Sequence, residues 1–331
     1  SFTQNIDIQE DIIFEINATN EVCDDDGTAS ITLSNENENV NYLWQNGETT
    51  ATINDLNANT YFVTITDEAN CSETASVNVA ANIKFNVQLK VWLEGPHQSN
   101  TNIMNTYLRE AEILPLQQPY NESPYNYEGT ENLPSIDYIL INMVDWVLIE
   151  LRDKTDSTTI VARRAGLVIQ DGDVIDIDGV TGLSFEGLVS DDYYISVRHR
   201  NHLGVMSAGL VTLDATATGN EIDFTTTTTA LFGDGTAAVE IESGVNALHM
   251  GNANHTDNVV KFTGSNNDKA FIGIRVNSTV NLTNTVQGYN FEDIDLDGVT
   301  SFTGSGNDKA KKGNKLKTTV NLLNCFIEQL P

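Results

Sequence analysis

The chain has 331 residues, of which 40% are apolar, and carries a formal charge of −30. That length allows two or three domains, and that apolar share builds real cores, which excludes a disordered tail. So much negative charge argues against a nucleic-acid partner and leaves two uses for the carboxylates: solubility at a crowded surface, or the binding of hard cations such as Ca²⁺.

From the N-terminus, SFTQNIDIQEDIIFEI (1–16) reappears as SETASVNVAANIKFNV (72–87), with Thr3, Ile6, Ile8, Ile12 and Phe14 matching Thr74, Val77, Val79, Ile83 and Phe85 at a constant offset of 71. Residues 1–13 therefore read as the last strand of a preceding copy, and the chain as part of something longer, with no signal peptide at Ser1. Over 14–82 the runs TASITL, YLWQ and YFVTIT are punctuated by Asn, Gly and Asp turns, which predicts a small β-sandwich. Cys23 and Cys71 lie in this segment. A bridge between them would close a loop of about 50 residues, contribute about 3–4 kcal/mol, and suit an oxidising compartment. Cys325 is the odd thiol and reads as buried. Asp24, Asp25 and Asp26 read as a turn cluster in preference to a cation site.

Residues 83–244 predict a larger β-sandwich. IMNTYLREAEIL (103–114) is its one candidate helix, and Pro115, Pro119, Pro124 and Pro134 mark an irregular excursion. The most apolar run, Met143–Leu151, is interrupted by Asp145 and Glu150, far short of the ~20 residues a membrane helix needs. In Asp171–Asp178 alternation places Ile175 and Ile177 inward and Asp176 and Asp178 outward. His199 and His202, flanked by Arg198 and Arg200, would point to opposite faces of a strand and could not chelate one ion. They read as structural groups paired with acids such as Asp145, Glu150 or Asp153. No nucleophile setting is recognisable, so the chain reads as non-enzymatic.

The C-terminal region, 245–331, is a tandem pair. FTGSNNDKA (262–270) recurs as FTGSGNDKA (302–310), and STVNL (278–282) as TTVNL (318–322), both at an offset of 40. Asp293, Asp295, Asp297 and Gly298 follow the D-x-D-x-D-G opening of a calcium loop, where alternate carboxylates converge on one hard cation and glycine allows the turn. The twelfth position holds Gly304 where an EF-hand would place Glu, and the next acid is Asp308, preceded by Asn307. The pattern therefore resembles a dockerin-like, expanded calcium loop. In the first copy Asn252, Asn254, Asp257, Asn267 and Asp268 are the corresponding candidate ligands, with His255 and Ala253 replacing two aspartates. Lys309, Lys311, Lys312, Lys315 and Lys317 form a basic cluster that could dock an acidic partner or balance charge.

The elements C-x-x-x-G-T-A-S-I-T-L (23–33), Y-L-W-Q-N-G (42–47), I-N-D-L (53–56) and A-N-C-S-E-T-A (69–75) resemble the SprB-type repeat of Bacteroidota gliding and surface adhesins. That resemblance implies an Ig-like spacer in a stalk. The VDWV-x-x-EL-R-D (144–153) and V-R-H-R-N-H-L-G-V-M-S (197–207) signatures resemble a domain of secreted Bacteroidota proteins. The ending I-E-Q-L-P with the two N-D-K copies resembles their C-termini, which accompany type 9 secretion, although the short sorting domain with a final basic strand and the NRWG-type terminus are both missing. The combined expectation is an all-β chain of tandem Ig-like sandwiches followed by calcium-loop repeats. It would be the C-terminal region of a secreted cell-surface adhesin of the gliding-motility type, facing an outer-membrane export or anchoring protein. The alternative is a carbohydrate-binding module in which Trp92, Trp146, Tyr193 or Tyr194 stacks on sugars.

Overall fold

Alternation of β-branched or aromatic residues with polar ones sets the strands of the N-terminal unit: β1 (Phe14–Thr19), β2 (Gly27–Leu33), β3 (Val40–Trp44), β4 (Thr52–Leu56), β5 (Asn59–Asp67) and β6 (Ser72–Val79). The computed structural model describes residues 12–21, 26–34, 39–80, 83–135, 142–180, 182–188, 190–214, 220–276, 284–311 and 325–331. The protein is all-β and divides into two compact units, 1–84 with 186–189 and 85–185 with 190–331.

In the first unit the sheets β1-β2-β4 and β3-β5-β6 are antiparallel and enclose one core of Ala29, Ile31, Trp44, Ile53, Leu56, Val63, Ile65 and Val79. Trp44 is 1% exposed and its indole N–H donates to the Thr50 carbonyl at 2.9 Å, so the largest core side chain leaves no polar atom unpaired. The Cys71 amide is held by Asp67 Oδ1 at 2.8 Å, and its thiol is free and exposed. The expected bridge is not formed there. Its partner Cys23 lies outside the described residues, as do Asp24, Asp25 and residues 1–11.

The second unit is built on the strand Met143–Arg152, buried at all ten positions. Such a strand is covered on both faces, which is why the sequence shows a near-continuous apolar run there. Its neighbours are Ile160–Ile169 and Asp191–Arg198, flanked in turn by Val174–Ile175 and by Val205–Met206 with Val211–Leu213. The pair Ile83–Lys90 with Asn220–Asp223 is parallel. The Pro-rich excursion covers the central sheet with Tyr120 and Tyr125, whose hydroxyls donate to the carbonyls of Trp146 (2.7 Å) and His199 (2.8 Å).

Several local expectations change here. The helix expected over 103–114 is only Tyr107–Glu110, because Ile103–Met104 is drawn into a strand pair and Glu112 turns the chain out at φ +58°. Asp176 is buried, not solvated: Arg164 on the neighbouring strand engages it at 2.7 and 3.0 Å, and the strand ends at Ile175. The division expected at 244/245 falls inside a hairpin, Ala238–Glu242 with Val245–Leu248. The tandem pair thus belongs to the same compact unit as the middle strands. Cys325 is exposed, because it sits on the outward side of a short strand, Cys325–Ile327, that pairs with Val259–Lys261. Among the described residues no helix is long and apolar enough to cross a membrane.

Candidate metal centre

The 40-residue copies share one pattern of hydrogen bonds. Asp268 spans its loop by accepting from the Asn254 amide (2.8 Å) and the Lys261 amide (2.7 Å). Asp308 does the same with Ile294 (2.9 Å) and Ser301 (2.7 Å). Asn267 and Asn307 each accept the amide N–H three residues on, at 3.0 and 2.9 Å. In the first copy that bond is the N-cap of the helix Asp268–Arg275. Lys269 and Lys309 lie over the rings of Phe262 and Phe302, at 4.9 and 4.6 Å. By spacing alone these Asn and Asp residues read as calcium ligands. In the fold they also hold the loop, since asparagine caps a helical turn and aspartate brackets a loop. Asn267→Ala should therefore cost about 1 kcal/mol in urea unfolding, with no change in cation response.

The alternate aspartates do converge. Asp293, Asp295 and Asp297 each bring a carboxylate oxygen within 4.8 Å of the others. Asp293 Oδ1 accepts the Asp297 amide at 3.1 Å and Oδ2 the Gly298 amide at 2.9 Å, and Gly298 stands at φ +83°, where a side chain is strained. Asp295 is 3% exposed, yet its Oδ1 has no hydrogen-bond partner, while Oδ2 faces the Lys311 ammonium. Burial raises the carboxyls of Asp293, Asp297 and Asp308 above the usual carboxylate range, and the Asp293 charge raises Asp308 further. Buried carboxylates that resist ionising, with an orphaned oxygen among them, are what a cation site looks like before its cation binds. The donor set is all oxygen, which suits a hard divalent ion such as Ca²⁺ and not zinc.

In the first copy the candidates are otherwise engaged. Asn254 Oδ1 accepts from the Thr256 hydroxyl at 2.7 Å, Asp257 Oδ2 meets Lys261 Nζ at 2.5 Å, and Ala253 is fully buried. Asn252 keeps a buried Oδ1 without a partner, but among the described residues the first copy has no cluster of three His, Cys, Asp or Glu ligand atoms like that of the second.

The HRNH segment fixes the metal loop to the central sheet. Asp145, fully buried on the central strand, accepts from Arg200 Nε (2.9 Å), from His199 Nε2 (3.2 Å) and from the Tyr289 hydroxyl (2.5 Å). Arg200 also lies over the Tyr289 ring at 4.1 Å and donates to the Asn290 carbonyl. One backbone bond settles the imidazole tautomers. The Gly95 amide donates to His202 Nε2 at 3.1 Å, so the His202 proton is on Nδ1, facing Asn201 Oδ1 (2.8 Å) and His199 Nδ1 (3.0 Å). His199 then carries its proton on Nε2, toward Asp145. Burial holds both imidazoles below their usual pKa, so they stay neutral, and their ring nitrogens are taken up by hydrogen bonds within the protein. Asn201 joins the two copies: its carbonyl accepts the Gly251 and Asn252 amides, and its side chain donates to the carbonyls of Phe291 and Asp293. Gly95 completes the contact, since a Cβ there would fall on the Ile294 carbonyl oxygen.

The chain matches no known protein-family model and no curated protein sequence. Its chemistry is therefore read from the geometry alone. Among the expected partners of the HRNH segment, the structure selects Asp145. Glu150, also among the expected acids, meets the flanking Arg198 at 3.9 Å besides Arg152 at 2.6 Å and Arg163 at 3.4 Å. Tyr289, Asn290 and Asn201 were missed by sequence reasoning, because no local pattern connects residues about ninety positions apart. The aromatics that the sugar-binding alternative relies on are largely withdrawn from solvent: Trp92, Trp146 and Tyr193 are buried and Tyr194 is half-buried. Of the basic cluster, Lys309 and Lys311 are engaged within the repeat, and Lys312, Lys315 and Lys317 lie outside the described residues.

Asp145 also sets an acid limit. Burial pushes its carboxyl up, but Arg200, His199 and Tyr289 outweigh that and hold it at about 2. A depressed folded pKa contributes stability that is present above the unfolded value and lost as pH falls through the folded one. Against an ordinary value of 3.8, the contribution is about 2 kcal/mol, lost between roughly pH 4 and pH 2. Urea midpoints across that window should fall for the native chain more steeply than for Asp145→Asn.

Proposed function

We propose that this chain is a non-enzymatic module of a secreted cell-surface protein, the C-terminal region of an adhesin of the SprB-type class, in which one Ca²⁺ held by Asp293, Asp295 and Asp297 braces the end of the second unit. The observation that carries it is the orphaned, buried Asp295 oxygen inside an all-oxygen cluster, in a loop whose amides are bracketed by the Asp308 carboxylate. The motifs quoted for the SprB-type repeat support the adhesin part, together with a first unit that is a sandwich with a single core. Extracellular calcium is abundant enough to occupy a site of modest affinity, which fits a surface location. An outer-membrane export or anchoring protein is the partner this reading implies.

Two measurements test it. Isothermal calorimetry on the full chain should show Ca²⁺ binding that Asp295→Asn abolishes, and absence of heat would remove the calcium part. Antibody fractionation of the source cells should recover the chain at the outer surface. Recovery from the cytosol would remove the adhesin part.

A further inference from the structure

Aligned at the offset of 40, four of the differences between the two copies touch the aspartate cluster or its counter-charge, and they act together. Ala253 stands where the second copy has Asp293, His255 where it has Asp295, and Lys261 where it has Ser301; Asp257 and Asp297 are common to both. The framework around them is the same. Aspartates 268 and 308 bracket the loops through equivalent amides, and Asn258 (φ +49°) repeats the left-handed turn of Gly298. The fourth difference lies after the bracket: Lys311, which faces Asp295, has Phe271 as its counterpart.

We infer that the first copy is a metal-free version of the same loop, in which the Lys261 ammonium takes the place that a divalent cation takes in the second. This rests on the calcium site proposed above.

The charges make the case. Leaving aside the bracketing aspartate common to both and the matched pairs Glu292–Arg275 (2.8 Å) and Asp145–Arg200 (2.9 Å), the second loop carries three carboxylates against one ammonium, Lys311, and so has a net charge of −2. One divalent cation cancels that. The first loop carries one carboxylate, Asp257, against Lys261, whose Nζ lies 2.5 Å from Asp257 Oδ2, and is already neutral. Buried charge is tolerated only when matched, so a loop that loses two carboxylates and gains a lysine has no use for an ion. At the vacated positions Ala253 is fully buried, and the His255 ring, whose Nδ1 has no hydrogen-bond partner, stacks on Phe291 at 4.5 Å. The ring thereby reaches the backbone that leads into the second loop, so the copy that needs no ion abuts the one that does. Calcium would then act on one end of the tandem pair only, while the other stays folded at any calcium concentration.

The test is stoichiometry by equilibrium dialysis of the full chain against Ca²⁺. The wild type should hold one ion, and the exchange A253D/H255D/K261S should raise this to two. One ion in both proteins would overturn the inference and leave the calcium site standing. No ion in the wild type would overturn the site and the inference together. The converse exchange, D293A/D295H/S301K, decides the matter if the first variant fails to fold. It should bind no calcium and show the same melting temperature with and without chelator. Unfolding of that variant in buffer where the chelated wild type remains folded would show that lysine does not replace the ion, and the inference would fall.

Discussion

Asp145→Ala should destabilise the second unit by about 3–5 kcal/mol, the usual cost of removing one partner from a buried ion pair. The reason lies in what is left behind. Arg200 is 1% exposed and would keep its charge without the carboxylate it donates to, and both the Tyr289 hydroxyl and the His199 Nε2–H would lose their acceptor. The double variant Asp145→Leu with Arg200→Met removes both charges and should recover most of the loss, because a matched apolar pair in a buried site is often as stable as the ion pair it replaces. Urea unfolding of the two variants separates these cases. Equal midpoints for the wild type and Asp145→Ala would show that the cluster contributes little. Since Tyr289 and Asn290 lead directly into the metal loop, limited proteolysis of Asp145→Ala should also cut first around residues 284–300.

Calcium should raise the melting temperature of the second unit by roughly 5–10 °C at a concentration one hundred times its dissociation constant. Binding to the folded state alone stabilises it by about 2.7 kcal/mol there, and each kcal/mol moves a unit of this size by about 2–4 °C. The gain comes from neutralising carboxylates whose burial otherwise opposes their ionisation. Asp295→Asn should abolish the rise, because it removes the charge of the one aspartate with an unsatisfied oxygen. Asp268→Asn should preserve the rise while lowering stability, since Asp268 holds loop amides in the other copy. Equal loss of the calcium response in both variants would show that the two copies bind the ion jointly and that the site extends beyond Asp293–Asp297.

Much of the architecture was legible because it is local. Period-two alternation marked β1 to β6, and the offset of 40 announced two copies that the structure shows sharing their loop-bracketing hydrogen bonds. The D-x-D-x-D-G spacing brings three carboxylates together through backbone geometry over five residues, so no distant contact is needed to find it. The N-D-K-A elements were visible, but the hydrogen bonds by which they hold the loop were not. Side-chain oxygens of Asn and Asp serve equally as ligands or as acceptors of backbone N–H, and only the amides they meet decide which.

Long-range pairing was not legible. The chain has 47 acidic residues, and nothing local says that Asp145 meets Arg200 and Tyr289, or that Asp176 meets Arg164 and is buried by it. The sequence by itself determined the strand-rich class, the repeats and the three aspartates that can face one ion. The tertiary structure alone decided which copy retains a buried, unmatched charge and what holds its loop in place. Spacing along the backbone can bring neighbouring carboxylates together, but whether their charge is cancelled depends on side chains that packing delivers from elsewhere in the chain.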